Sequence, residues 1–201
     1  MARDMVNRRT FLKAAGAATV AATSMAGCSS LTGDDGGGRL VYARGDHPEN
    51  YDPQQTTSGE VAKVTNQIFD TTVDFEPGSG GQLTDGLATE YTLEGQTVTV
   101  TLREGVEFHN GEELTAEDVR ATIRRFIDED YEYFLGESRS GYSSVTFGDW
   151  VESVEATDTY DVTINLSQRY APFLRNLAMF AAAILSKAQI EDMGTGSEAQ
   201  A

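Results

Sequence analysis

The chain has 201 residues and sets 32 acidic side chains against 15 basic ones, a formal net charge of −17. That balance excludes nucleic acid and anionic surfaces as partners, because holding a phosphate backbone takes clustered Lys and Arg. A single cysteine excludes an internal disulfide and a thiolate metal cluster, and the length allows one modest domain.

In chain order, residues 1–28 read as a targeting segment. Asn7-Arg8-Arg9-Thr10-Phe11-Leu12-Lys13 resembles the twin-arginine export motif, S/T-R-R-x-F-L-K, with Asn7 departing at its first position. The Ala-, Thr- and Gly-rich stretch 14–26 is short and weakly apolar, whereas a bilayer span needs about 20 strongly apolar residues. It ends in Met25-Ala26-Gly27-Cys28, which resembles a lipobox with Met25 in place of the common Leu. These resemblances imply that Arg8 and Arg9 direct export and that Cys28 carries the lipid anchor. Each buried lipid CH₂ stabilises such an anchor by about 0.8 kcal/mol. A cleaved signal with an incidental Cys, or an uncleaved anchor helix, fits the joint spacing less well. Residues 29–38 hold Ser, Gly and Asp with one large apolar residue, Leu31, and read as a flexible tether.

Without Arg3, Arg8, Arg9, Lys13 and Asp4 the chain keeps 11 basic and 31 acidic residues, a net charge of −20. Its lysines are few: Lys13, Lys63 and Lys187. Like charges oppose compaction, and molar salt relieves this by shrinking the Debye length to about 3 Å. The composition resembles that of extreme halophiles; the alternative is an ordinary acidic surface protein.

Leu40-Val41-Tyr42-Ala43 predicts a short strand, and Tyr51-Asp52-Pro53 a loop. Thr57 and Glu60 form a capping-box pair for a helix whose apolar face is Val61, Val64, Ile68 and Phe69. Residues 73–75 predict a strand, ended by Pro77-Gly78-Ser79-Gly80-Gly81. Tyr91 and Leu93 alternate, Glu94-Gly95 turns, and Val98, Val100 and Leu102 alternate with threonines, which predicts a hairpin with one buried face. Asn110-Gly111 is a turn pair. Thr115 and Asp118 cap a helix with the stripe Val119, Ile123, Phe126 and Ile127. A polar stretch, 136–144, precedes a second hairpin, residues 151–156 with Tyr160, Val162, Ile164 and Leu166. Pro172 predicts a helix to about Met179, residues 182–185 a buried strand, and Ser186 with Gln189 a capped final helix. The class is α+β.

Residues 102–119 read L-R-E-G-V-E-F-H-N-G-E-E-L-T-A-E-D-V. This segment resembles the signature of the family 5 extracellular solute-binding proteins, L-R-x-G-V-x-F-H-D/N-G-x-x-L/F-T-A-x-D-V. Tyr51-Asp52-Pro53 matches that family's L/Y-D-P triplet. The resemblance covers nearly all of residues 39–193 and implies a periplasmic-binding-protein-like fold, a type II clamshell of which only the N-terminal part of the first lobe is present. Residues 194–201 read as a polar tail at a truncated end. The implied function is the substrate-binding component of an ABC importer for peptides, dipeptides or nickel, with permease subunits and their ATPase as partners in trans and the membrane reached through the lipid. The alternatives are a surface lipoprotein that keeps a binding-protein lobe, or a non-functional fragment.

No constellation points to catalysis or to a cofactor. His109 has no second ligand at metal spacing, and His47 is distant in sequence; a turn residue is the better reading. Asp128-Glu129-Asp130-Tyr131-Glu132 lacks the alternating ligands and central Gly of a calcium loop, and Ser143-Ser144 forms no nucleophile elbow. In a clamshell, the loops leaving the strands face the solute. The candidate solute-binding residues are therefore Arg44, Asp46 and Tyr51 after the first strand, and Tyr131, Tyr133 and Tyr142. Each tyrosine alone is better explained by ordinary packing or surface.

Overall fold

The computed structural model describes residue 45, residues 50–142 and residues 144–194. The leader, the tether, the expected strand at 40–43 and the tail from residue 195 lie outside the described residues.

Helix α1 spans Gly59–Thr65, with Ser58 as its cap, accepting from the Glu60 N–H at 3.3 Å. The expected Thr57 cap is thus displaced by one residue. Ser58 holds the extended backbone that an N-cap requires, and its own N–H is taken by Thr56 Oγ1 at 3.0 Å. The helix stops at Thr65, so the expected apolar face divides: Val61 is buried, while Ile68 lies past the end and is exposed.

Strands β1, Val73–Phe75, and β2, Leu83–Asp85, form an antiparallel pair. Gly78, Gly80 and Gly81, all at positive φ, turn the chain between them. The main sheet has four antiparallel strands: β3, Ala88–Glu94; β4, Thr97–Leu102; β5, Val151–Ala156; and β6, Asp161–Leu166, in the order β3-β4-β6-β5. Both expected hairpins are present, β3–β4 and β5–β6. Val98, Val100 and Leu102 share one buried face with Val162, Ile164 and Leu166. Burying each such side chain stabilises the fold by about 2 kcal/mol.

Helix α2, Ala116–Ile127, covers that face. Thr115 and Asp118 form the expected capping box, with the Thr115 N–H donating to Asp118 Oδ2 at 2.9 Å. Val119, Ile123 and Phe126 are buried, and the Phe126 ring meets Phe147 edge-on at 5.8 Å. The expected helix after Pro172 is only one turn, α3, Phe173–Asn176. It ends because the buried Asn176 amide donates to the carbonyls of Val145 and Thr146, and Met179 turns extended before a 3₁₀ turn, Phe180–Ala182. The expected strand at 182–185 is buried but joins no ladder. Ile184 N–H donates to the Asp70 carbonyl and Leu185 N–H to Thr122 Oγ1. Helix α4, Lys187–Met193, closes the described chain, with Ser186 as its cap as expected.

The signature segment folds between β4 and α2 as a small hairpin, with a bridge between Glu107 and Glu113 and Gly111 at φ 84° in the turn. The Tyr160 hydroxyl donates to Glu113 at 2.7 Å and the Gly105 N–H at 2.9 Å, which ties this hairpin to the β5–β6 turn. These bonds hold the Glu113 carboxyl below its usual 4.5, the Tyr160 bond first, and the same contact raises Tyr160 above its usual 10.0.

Two predictions follow from this packing. A Cβ on Gly86 would collide with the Thr71 carbonyl oxygen and sit 3.1 Å from the Thr72 carbonyl, where Leu87 and Ala88 donate to those same two carbonyls. Gly86→Ala should therefore cost about 2 kcal/mol in a denaturant melt, whereas Gly59→Ala, in open space, should be neutral or stabilising.

The second concerns pH. A depressed carboxylate pKa stabilises the fold above its unfolded value and ceases to do so as pH falls through the folded one; a raised tyrosine pKa stabilises below its unfolded value and ceases as pH rises through the folded one. The melting difference between the parent and Glu113→Gln should be constant near neutrality, narrow below pH 4.5 and narrow again above pH 10.0. A difference that does not vary with pH would contradict the Glu113–Tyr160 lock.

Candidate functional site

Helix α2 carries a second stripe beside its apolar one. Asp118, Thr122 and Arg125 recur at i, i+4 and i+7 and are all buried. Between them they tie down two segments, residues 185–187 and the loop at 52–54. Asp118 Oδ1 accepts from the Lys187 N–H at 2.8 Å and so holds the start of α4. Thr122 Oγ1 accepts from Leu185 N–H and donates to its carbonyl, at 3.0 and 3.2 Å. Arg125, fully buried, places Nη2 2.7 Å from Asp52 Oδ2 and donates from Nη1 to Gln54 Oε1 at 3.1 Å.

The Tyr51-Asp52-Pro53-Gln54 loop is organised by these contacts. The Gln54 N–H donates to Asp52 Oδ1 at 2.8 Å, closing an Asx turn, and its side-chain amide donates to the Thr122 carbonyl at 2.9 Å. The Gln54 carbonyl in turn accepts from the Ser140 N–H at 2.9 Å. A Cβ on Gly141 would lie 3.7 Å from Thr57 Cγ2, so the loops at 51–57 and 139–142 touch.

The candidate residues fall in different places. Tyr51 is 49% exposed on the anchored loop. Tyr142, on the adjoining loop, is half-buried and meets Phe180 edge-on at 5.2 Å. Tyr131 and Tyr133 pair edge-on at 5.5 Å in a separate cluster with Ala121, Leu185 and Ile190, and the Arg124 guanidinium lies 4.4 Å over the Tyr131 ring. Desolvation raises the pKa of both, against a lowering by Arg124 at Tyr131 and with a further rise from Glu132 at Tyr133, so both stay neutral phenols. Arg44 and Asp46 lie outside the described residues, as do Arg8, Arg9 and Cys28. Sequence reasoning missed Arg125 and Gln54. The available signal was the polar series 118, 122, 125 beside the apolar series 119, 123, 126.

Two concavities among the described residues bear on the site. One, about 490 Å³, runs between the signature hairpin, residues 68–70 and α4; its floor includes Phe69, Val106, Phe108 and Ile184, and its edge Asp70, Glu107 and Asp192. His109 is exposed there, on the turn where the sequence placed it. The other, about 600 Å³, is shallower and lies between α2 and β5. Among the described residues no three His, Cys, Asp or Glu side chains gather as a metal site, and no helix is long and apolar enough to cross a membrane.

Comparison with known proteins gives this arrangement its context. Residues 5–24 match the sequence model of the twin-arginine translocation pathway signal, and residues 82–199 match that of the bacterial extracellular solute-binding proteins, family 5 Middle. A di/tripeptide-binding protein of Pseudomonas aeruginosa is 29% identical over 227 residues, covering 98% of this chain and 40% of that one. The crystal structure of a dipeptide-binding protein from Pseudoalteromonas in complex with Met-Leu superimposes with a TM-score of 0.66 at 27% identity, covering 73% of this chain and 31% of that chain. A periplasmic binding protein from Helicobacter pylori, associated with an ABC transporter and in complex with the peptide STSA, gives 0.63 at 30%, covering 71% and 30%. The chain thus spans between 30% and 40% of the length of these relatives. It shares the periplasmic-binding-protein fold over that part, carries an export signal, and belongs to the bacterial extracellular solute-binding proteins of family 5.

Proposed function

We propose that this chain supplies one wall of the cleft in the substrate-binding component of an ABC importer for peptides, working outside the membrane beside permease subunits and an ATPase. The observation that supports it most directly is the likeness to the Met-Leu complex, a match that joins fold, sequence and a bound dipeptide. The role is capture and delivery; the chain performs no chemistry. Tyr51 and Tyr142, on the two adjoining loops, are the solute-facing residues in this reading, with Arg44 and Asp46 preceding them in the chain. Tyr131 and Tyr133 serve packing.

The reading divides the chain into a lipoprotein signal at 1–28, a tether at 29–38, the solute-binding portion at 39–193 and a polar tail at 194–201. Cys28 carries the lipid. The net charge of −20 after the signal and the scarcity of lysine support a salty exterior.

Three outcomes test this. The replacements Arg8→Lys and Arg9→Lys together should hold the precursor inside, while Cys28→Ser should move the exported protein from the membrane to the soluble fraction. An unchanged membrane fraction for Cys28→Ser contradicts the anchor. Dialysis from molar salt into dilute buffer should remove structure seen by circular dichroism, because repulsion returns as the Debye length grows past about 10 Å; a salt-independent spectrum contradicts the halophile reading.

The third outcome concerns solute. One wall of a cleft gives little buried area against an association cost of at least about 4 kcal/mol. Calorimetry with Met-Leu should show no heat for residues 29–201 alone, and measurable binding once those residues are joined to the remaining length of a family relative. Micromolar binding by the chain alone would show a self-sufficient site elsewhere. A folded full-length chimera that binds no di- or tripeptide would contradict the peptide reading.

A further inference from the structure

We propose that Arg125 is a positioning residue: through Asp52 and Gln54 it locks the 51–57 and 139–142 loops into one rigid wall, so that Tyr51 and Tyr142 keep a fixed relation. This rests on the solute-capture reading and adds the device that shapes its cleft.

Four observations carry it. Arg125 is 0% exposed and Asp52 9%, so the ion pair is screened from water and salt. The guanidinium uses two nitrogens on two residues of the same loop, Asp52 and Gln54, a fork that an ammonium cannot reproduce. Gln54 passes the constraint on, because its carbonyl holds the Ser140 N–H and its side-chain amide holds the Thr122 carbonyl. The Arg125 carbonyl accepts from the Leu135 N–H, which fixes the chain entering the second loop. Arg125 Nε finds no hydrogen-bond partner, and Nη2 meets Asp52 Oδ2 as an ion pair at 2.7 Å without hydrogen-bond geometry. A buried guanidinium with two of its three nitrogens lacking a hydrogen-bond acceptor is a poor choice for stability alone, since apolar replacements of buried ion pairs are often neutral or stabilising. What such a pair supplies is a defined geometry.

That contrast gives the test. In the 201-residue chain, Asp52→Leu with Arg125→Met replaces the pair by apolar groups of similar size. Amide exchange at Ser140 and Gln55 should speed up by about tenfold or more relative to the central-strand amides, with the cooperative melt kept. Val154→Ala, buried in the sheet and away from both loops, should instead speed exchange in common. If the double variant does not fold, Arg125→Lys, which keeps the charge and loses the fork, should loosen Ser140 in the same way. Unchanged relative protection at Ser140 in a folded variant overturns the proposal.

The chimera described above separates this from the solute reading. With the loops loosened, affinity for Met-Leu should fall about tenfold or more, as expected when preorganisation is lost. Unaltered affinity despite loosened loops overturns the positioning role. No binding with Arg125 intact overturns the solute reading and leaves the exchange result as evidence for the lock.

Discussion

The structure depends on one constraint: a helix that buries three polar side chains must bring a partner to each of them. Asp118, Thr122 and Arg125 sit in the interior, where an unpaired polar group costs about 1–3 kcal/mol and an unpaired charge more. Their partners come from segments far away in sequence: Asp52 and Gln54 before the helix, Leu185 and Lys187 after it. Partnering the helix therefore fixes the Asp52–Gln54 loop and the segment leading into α4 against it. The adjacent apolar stripe, Val119, Ile123 and Phe126, settles a different question, namely which sheet face the helix covers. Two stripes on one helix thus divide the work: one builds the layer, the other places the loops.

That division gives the signature segment a physical meaning. Its second half is the capping box and first turn of α2, and its first half is the hairpin that Glu113 and Tyr160 fasten to the β5–β6 turn. Both parts serve to orient α2. The helix in turn presents Arg125 to the Asp-Pro loop, so the signature and the loop, some fifty residues apart, belong to one arrangement.

The sequence made the layer legible and left the loops obscure. Alternation in residues 97–102 and 160–166 has a period of two and reports directly on one buried face, so both hairpins were readable. Thr115 and Asp118 lie three apart and report on a local cap. The one-turn α3 was not readable, because what ends it is the Asn176 amide reaching carbonyls some thirty residues away. Residues 182–185 look like a strand because they are apolar and buried, yet their partners are a loop carbonyl and a threonine hydroxyl, which leave no periodic trace. Ser58 replaced Thr57 as the cap because a local turn, with the Ser58 N–H on Thr56 Oγ1, gives Ser58 the extended backbone, and that turn leaves no periodic trace. The tyrosines were chosen as aromatic residues on loops; the structure separates Tyr131 and Tyr133, occupied with each other and with Arg124, from Tyr51 and Tyr142 on adjoining loops.

The most direct measurement is a double-mutant cycle on the buried pair, read by denaturant unfolding of Asp52→Leu, Arg125→Met and the two combined. The account predicts that each single change costs about 3–5 kcal/mol, because it strands a buried charge, and that the combination costs far less than the two together. Additive costs would mean that Asp52 and Arg125 do not act as a unit, and the claim that α2 sets the loops through its polar stripe would fail.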